Sequence, residues 1–429
     1  MKVAVLVAGA VPNPAQSGSA VTVWTIVRHL AESGHEASVL VLRGGKLDDP
    51  GVGLADRIER LRGLGAEVQV LESQAGRVFE QMASDTLSRL RRAWRPRDEE
   101  MLPQLLDVDL VRSAVEEMAP DVLYAYHWEA VAASTGLRGV VPRFATVVDL
   151  PQLAAWYRWR VTPGRLGRAG LARLVWVQSR LRNMPRLLVR LLNECEASGN
   201  FAAHHAAWLR RRGATGCDYY QTPIEDRPGD GWRAARQRHP RGVRLRLLLI
   251  GHLRGVSTLD GLDVIPSGVL PQLERTLGAD GFEVRIVGGY EPPPHLQAAL
   301  DRPGVSFLGH LEHPDEEFAA ADALLVPTSI PLGTRVRIIS AFSFGCPVVA
   351  HESNALGIPE LGDGANVLLG RSGDELAQAA ARISNDVDLQ DRLAEAGRAT
   401  YERVFAPSIA AARIEATLQR IAAGRDPNG

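Results

Sequence analysis

The segment Pro327–Ala350 (PTSIPLGTRVRIISAFSFGCPVVA) concentrates the residues best suited to hold an anion. A strand is expected to end at Val326 and a Pro/Gly loop to follow it. A helix then opens near Gly333–Thr334 and closes at Gly345, directly before a strand at Pro347–Ala350. A helix start carries unpaired N–H groups and about half a positive charge, which suits a diphosphate. Gly333 admits close backbone approach, and Thr334 offers a cap or a hydroxyl donor. Arg335 and Arg337 add fork-shaped donors for phosphate oxygens. The alternative is an ordinary helix between two strands with a glycine at its end. The small and basic residues gathered at one helix start weigh against it.

Other candidates also sit at predicted strand ends. Gly251–Thr258 (GHLRGVST) follows one strand, with Gly251 open to backbone approach and Arg254 supplying charge or lying on the surface. His127 follows the strand Asp121–Tyr126 and precedes Trp128 and Glu129. It reads either as a satisfied structural histidine or as a functional one at a strand's carboxyl end. Asp149 ends the next strand, where it orients or deprotonates a hydroxyl, or caps the helix before Pro151. His310 follows Gly309 at a further strand end, and Gly288–Gly289 close another. His204–His205 and His310–His313 lack the i, i+4 spacing with a glutamate that a helical zinc site needs, so no metal site is expected.

The elements that must position these groups alternate along the chain. Lys2–Ala8, Ala37–Leu42, Glu67–Leu71, Asp121–Tyr126 and Phe144–Val148 read as strands, with Ala20–Glu32 a helix. Leu245–Ile250, Glu283–Val287, Val305–Leu308, Ala323–Val326 and Pro347–Ala350 form a second set. Helices follow around Asp374–Ser384, Leu389–Tyr401 and from Pro407 to about Ala422. Strands alternating with helices predict doubly wound parallel sheets, whose ligands sit beyond the strands' carboxyl ends.

Length, composition and charge bound the rest. At 429 residues the chain exceeds one ordinary core. The expected division is residues 1–226, a linker at 227–243, a second domain at 244–403, and a final helix at 404–429 that packs back on the first domain. Residues 156–212 interrupt the alternation with long helical patterns rich in arginine, including nine arginines from Arg158 to Arg190 and then Arg210–Arg212. That segment is a solvated face over core-packed helices, a contact for a membrane surface or an anionic acceptor, or a partner interface. A net charge of −1 supplies no global field for nucleic acid. Cys195, Cys217 and Cys346 lack metal-ligand spacing and read as reduced thiols, consistent with a cytoplasmic location. No apolar run is long enough to span a bilayer, and the short run Val3–Ala10 does not read as a signal peptide. Lysine occurs only at Lys2 and Lys46, an arginine bias that suggests a high-GC bacterial genome.

Gly333–Val349 follows the frame G-T-R-x-K-I-x-E-A-x-x-x-G-x-P-V-V and so resembles the family-4 retaining glycosyltransferases. The resemblance extends over most of the chain. It takes in the loop Pro12–Ser19 with Gly18, the Gly-His-Glu lead-in at His35, Asp121–His127, Leu248–Gly251, and Val305–Leu311 with Ala321–Val326. It implies an α/β GT-B fold, two doubly wound Rossmann-like domains facing a central cleft. The donor would be a nucleoside diphosphate sugar, used as co-substrate with no cofactor and no metal. In that frame His127 contacts the donor sugar or stabilises developing charge. Gly289 borders the nucleobase pocket, His310 borders the donor pocket, and Asp149 handles the acceptor.

This chain departs from the family at several of these positions. Leu332 and Ser340 stand where the family has two glutamates, one touching the transferred sugar and one the ribose. Arg337 replaces a phosphate-binding lysine, while His252 and Arg254 stand where an arginine and a lysine are common. The expected activity is retaining, metal-independent transfer from a nucleotide sugar to a small-molecule or lipid-linked acceptor. A sugar-nucleotide epimerase on the same fold and a weakly catalytic sugar-nucleotide-binding partner subunit are the alternatives. Oligomeric state is not legible in the sequence.

Overall fold

The computed structural model describes residues 1–8, 11–14, 18–43, 53–72, 107–162, 165, 167–239 and 242–424. Parts of four expected segments lie outside the described residues: 15–17 of the Gly-rich loop, 163, 164 and 166 of the Arg-rich segment, 240 and 241 of the linker, and 425–429 of the final helix. The chain divides into two units. The first comprises Met1–Pro14, Ser19–Gln221 and Ala410–Gly429, and the second Thr222–Ile409 together with Gly18.

The first unit is built on seven parallel strands: β1 Lys2–Ala8, β2 Glu36–Arg43, β3 Glu67–Glu72, β4 Val122–Tyr126, β5 Arg143–Val147, β6 Ala197–Asn200 and β7 Cys217–Tyr219. Their order is β3-β2-β1-β4-β5-β6-β7. Along β1 (KVAVLVA), Val3, Val5 and Val7 enter the core on one face, and Ala4, Leu6 and Ala8 enter the core on the other. Both faces are covered, which is why the strand reads as an unbroken apolar run rather than an alternation. The last two strands were not expected. Each is short, and β6 (ASGN) is built of small and polar residues with little strand propensity.

The second unit carries six parallel strands: β8 Leu245–Ile250, β9 Phe282–Val287, β10 Val305–Gly309, β11 Ala323–Val326, β12 Val348–His351 and β13 Leu368–Gly370. Their order, β10-β9-β8-β11-β12-β13, is the dinucleotide-binding arrangement, with its direction of winding reversing between β8 and β11. The first sheet reverses in the same way between β1 and β4. Residues 227–243, expected as a linker, include a helix at Trp232–Gln237. Trp232 is buried beneath Gly345, where any side-chain Cβ would meet its ring at 2.3 Å.

The helix Pro407–Ala423 enters the first unit from Ala410 and lays Ile414, Leu418 and Ile421 into that unit's core. Glu415, on the same helix, is gripped by His29 Nε2 and His35 Nε2, each at 2.8 Å from one carboxylate oxygen. Burial raises the carboxyl's pKa, but the His35 and His29 bonds outweigh that and hold it below the usual carboxylate range. Among the described residues, no helix is long and apolar enough to cross a membrane.

Glu415→Ala should cost the first unit about 2 kcal/mol in urea unfolding, the loss of two charge-assisted bonds. Because the folded pKa is lowered, this stabilisation is full above the unfolded carboxylate pKa and is lost as pH falls through the folded one. The gap between wild type and Glu415→Ala should therefore close in acid, and a gap independent of pH would contradict the assignment.

Candidate functional site

In the second unit, the carboxyl ends of β8 and β11 meet at the point where the sheet reverses direction. Arg337, on the helix Val336–Ser343, lies across that point. Its Nη1 donates to the Ile250 carbonyl at 2.6 Å, and its Nη2 is 3.5 Å from the Thr328 hydroxyl. A Cβ at Gly251 would come within 2.7 Å of Arg337 Nη1, so the glycine makes room for the guanidinium. Among the described residues, no carboxylate pairs with Arg337. Burial first, and then the charge of Arg335, lower its pKa to about 9. The guanidinium stays cationic at neutral pH, and it is a desolvated charge for which an incoming anion is the natural partner.

The loop that leads into this helix is held from several sides. The Asp260 carboxylate accepts bonds from the backbone N–H of Ser329 at 2.6 Å and of Ile330 at 3.2 Å. Thr328 Oγ1 donates to the Ser257 carbonyl at 2.7 Å, and Asn354 Nδ2 donates to the Thr328 carbonyl at 3.2 Å. Arg335, expected as a phosphate donor, is buried and turned inward. Its Nη2 donates to the Ile330 carbonyl at 2.6 Å and its Nη1 to the Leu332 carbonyl. It braces the loop.

Gly333 has φ +66°, a left-handed conformation that glycine adopts without strain. The helix opens at Val336, not near Gly333–Thr334 as expected. Its N-cap is Arg335 without a side-chain cap bond, so Thr334 does not cap it. The chain bends at Gly333, and the first helical turn follows only at Val336. Leu332 is buried at 4% exposure. Ser340 is partly buried on the helix, one turn beyond Arg337.

A second group lies at the ends of β8, β9 and β10. A Cβ at Gly288 would fall 1.9 Å from the Gly251 carbonyl oxygen, so these two strand ends can approach only because Gly288 has no side chain. His252 and Tyr290 are exposed, with ring centroids 4.6 Å apart. Arg254 donates from Nε to the Glu291 carbonyl at 3.1 Å and sets its guanidinium carbon 5.9 Å from the Tyr290 ring centre. Tyr290 has φ +70°, unusual for a residue with a side chain. Gly289 borders this group, and the exposed His310 is its neighbour, its Nδ1 3.9 Å from where a Gly289 Cβ would stand. Sequence reasoning missed Tyr290 as a ring platform and Asp260 as the loop's clamp. The glycine pair before Tyr290 was the available signal for the first, and nothing local marked the second. A shallow hollow near Arg244, Arg246, Glu283 and Asp322 lies at the opposite, amino edge of the sheet, which is the wrong edge for a ligand of this fold.

In the first unit, His127 stands at the carboxyl end of β4, beside that sheet's own reversal point. Its backbone has φ +79° and ψ 154°, a region populated almost only by glycine. Strain of this kind is kept where a side chain must point in one direction. His127 Nδ1 bonds the Glu129 carboxylate, which fixes the ring. Burial opposes its charge, but Glu129 and then Asp149 raise its pKa overall. Asp149 is thus close enough to act on His127. It does not cap the following helix, whose N-cap is Leu150. Glu129 is the partner for which the sequence suggested no role, although His-x-Glu at a helix start is the spacing that finds it. Gly18 opens the helix Gly18–Glu32, which follows β1.

Residues 244–386 match the family model described as Glycosyl transferases group 1. No curated protein sequence matches the chain. Among solved structures, the chain is similar to sucrose-phosphate synthase from Thermosynechococcus elongatus, at 15% identity and TM-score 0.69, covering 99% of each chain. It is similar to Anabaena HepE in complex with UDP and glucose, at 16% identity and TM-score 0.66, covering 98% of this chain and 100% of that one. A glycosyltransferase from Rickettsia africae matches at 12% identity and TM-score 0.63, covering 98% of each. At these identities the likeness establishes the fold, two Rossmann-like parallel-sheet units of the GT-B type.

If the His127 backbone is strained, His127→Gly should be more stable than His127→Ala by about 1 kcal/mol, since both lose the ring and only glycine relaxes φ. Urea denaturation of the two variants measures this, and equal stability would remove the strain argument. Residues 244–386 thus carry a group 1 glycosyltransferase domain on this fold.

Proposed function

We propose that this enzyme transfers a sugar from a nucleoside diphosphate sugar to a small-molecule or lipid-linked acceptor, with retention of configuration and without a metal. The observation that carries the reading is Arg337: a desolvated guanidinium with no carboxylate partner among the described residues, set where the second sheet reverses. Such a group stabilises the charge that grows on a diphosphate as the glycosidic bond breaks. The N–H groups at the Val336 helix start, together with Gly333, would add neutral donors. Arg254 would supply a second cation, with His252 and Tyr290 facing the base and Ser340 bonding the ribose. His127, oriented by Glu129, would act on the donor sugar or on charge developing there, and Asp149 would orient the acceptor hydroxyl. UDP is the first nucleotide to test, because the HepE structure contains it.

Incubation with UDP-, GDP-, ADP- and dTDP-sugars, with and without acceptors, followed by product analysis, tests the reading. Transfer to an acceptor supports it. Epimerisation of a nucleotide sugar without an acceptor would replace it with an epimerase, and binding without turnover would replace it with a partner subunit. Arg337→Ala should lower kcat/KM by about ten-fold or more, and Arg337→Lys, which keeps the charge but loses the fork, should fall between. Unchanged kinetics in Arg337→Ala would remove that residue from the site.

A further inference from the structure

Between Asp149 and Glu194 the chain contains nine arginines and no aspartate or glutamate, within a protein of net charge −1. This stretch forms two helices of the first unit, Pro151–Val161 and Arg168–Asn193, which pack against each other. Trp159 Nε1 donates to the Gly170 carbonyl at 2.9 Å and pins them together. The longer helix buries Val177, Met184, Leu187, Leu188, Leu191 and Leu192. Its outer side is unusual in two respects.

The first is apolar exposure. The described residues include ten exposed large hydrophobic side chains, and three of them fall within six positions here: Leu171 at 48%, Val175 at 46% and Trp176 at 36%. The others are far apart in sequence. The second is uncompensated charge. Among the described residues, no carboxylate pairs with Arg158, Arg160, Arg165, Arg173, Arg182 or Arg186. Arg158 is pushed below the usual guanidinium pKa, by burial first and by Arg173 second. At 3.6 residues per turn, Leu171, Val175, Arg182 and Arg186 share one side of the helix. Arg180 lies over the Trp176 ring, its guanidinium carbon 4.7 Å from the ring centre.

Apolar side chains flanked by arginines that no carboxylate neutralises are suited to the headgroup boundary of a bilayer with a negative surface. We propose that this helical pair is a peripheral docking surface for an anionic lipid bilayer. Leu171, Val175 and Trp176 enter the interface, and the surrounding arginines meet headgroup phosphates. Charge complementarity selects this occupant. A second copy of the chain would oppose arginine to arginine across the patch. The inference goes beyond the transfer reading and stands without it.

Co-sedimentation of the full chain with phosphatidylcholine vesicles, with and without phosphatidylglycerol, tests it. Partition onto the anionic vesicles should exceed that onto neutral ones by about ten-fold or more and should fall as salt rises. The combined change Leu171→Ser, Val175→Ser and Trp176→Ser should abolish most of the binding, and Arg182→Gln with Arg186→Gln should weaken it several-fold. Arg182 and Arg186 are exposed, so the glutamine variant should melt as wild type does, and circular dichroism checks that the serine variant, which trims the half-buried Leu171, Val175 and Trp176, stays folded. Equal partition onto neutral vesicles, or wild-type binding by the serine variant, would overturn the proposal. So would patch-dependent self-association in sedimentation velocity, or binding to single-stranded RNA that survives the serine changes.

Discussion

Arg337 Nη1 donates to the Ile250 carbonyl, and that bond fixes a cation where the second sheet reverses its winding. Much of the local structure serves this placement. Gly251 clears space for the guanidinium, and Gly288 lets the ends of β8 and β9 close beside it. Asp260 and Arg335 hold the preceding loop, so that the short helix begins at Val336 and presents Arg337 in its first turn. No described carboxylate shares the charge, and its desolvation is the energetic reason for expecting an anionic ligand there.

Leu332 and Ser340, the two positions where the sequence frame leads one to expect glutamates, have different surroundings. Leu332 is buried, and its carbonyl accepts a bond from Arg335 Nη1. Ser340 keeps a hydroxyl on the helix and can form a neutral bond, weaker than the charge-assisted one a carboxylate would give. In the first unit, the strained His127 backbone and its Glu129 bond describe a histidine held in a fixed direction, with Asp149 near enough to bias its charge.

The buried parallel strands were the most legible part of the chain. Runs such as KVAVLVA and LRLLLI are apolar on both faces, and their positions were read to within about a residue or two. The strands β6, β7 and β13 were not foreseen. Each has three or four residues, and their pairing is decided by neighbours distant in sequence. At the site, residue types identified Arg337 as a cation at a strand-to-helix junction, but could not separate it from Arg335. The two arginines are two residues apart at a helix start, and only the folded loop sends one to its own carbonyls and the other to β8. The Asp260 clamp joins residues about seventy positions apart and left no local signal.

Calorimetric titration of the wild-type protein and Arg337→Ala with UDP and with uridine tests the central claim most directly. If Arg337 is the diphosphate's partner, wild type should bind UDP at least about ten-fold more tightly than uridine, and that preference should collapse in the variant while uridine binding stays the same. A variant that kept the full preference for the diphosphate would contradict the account.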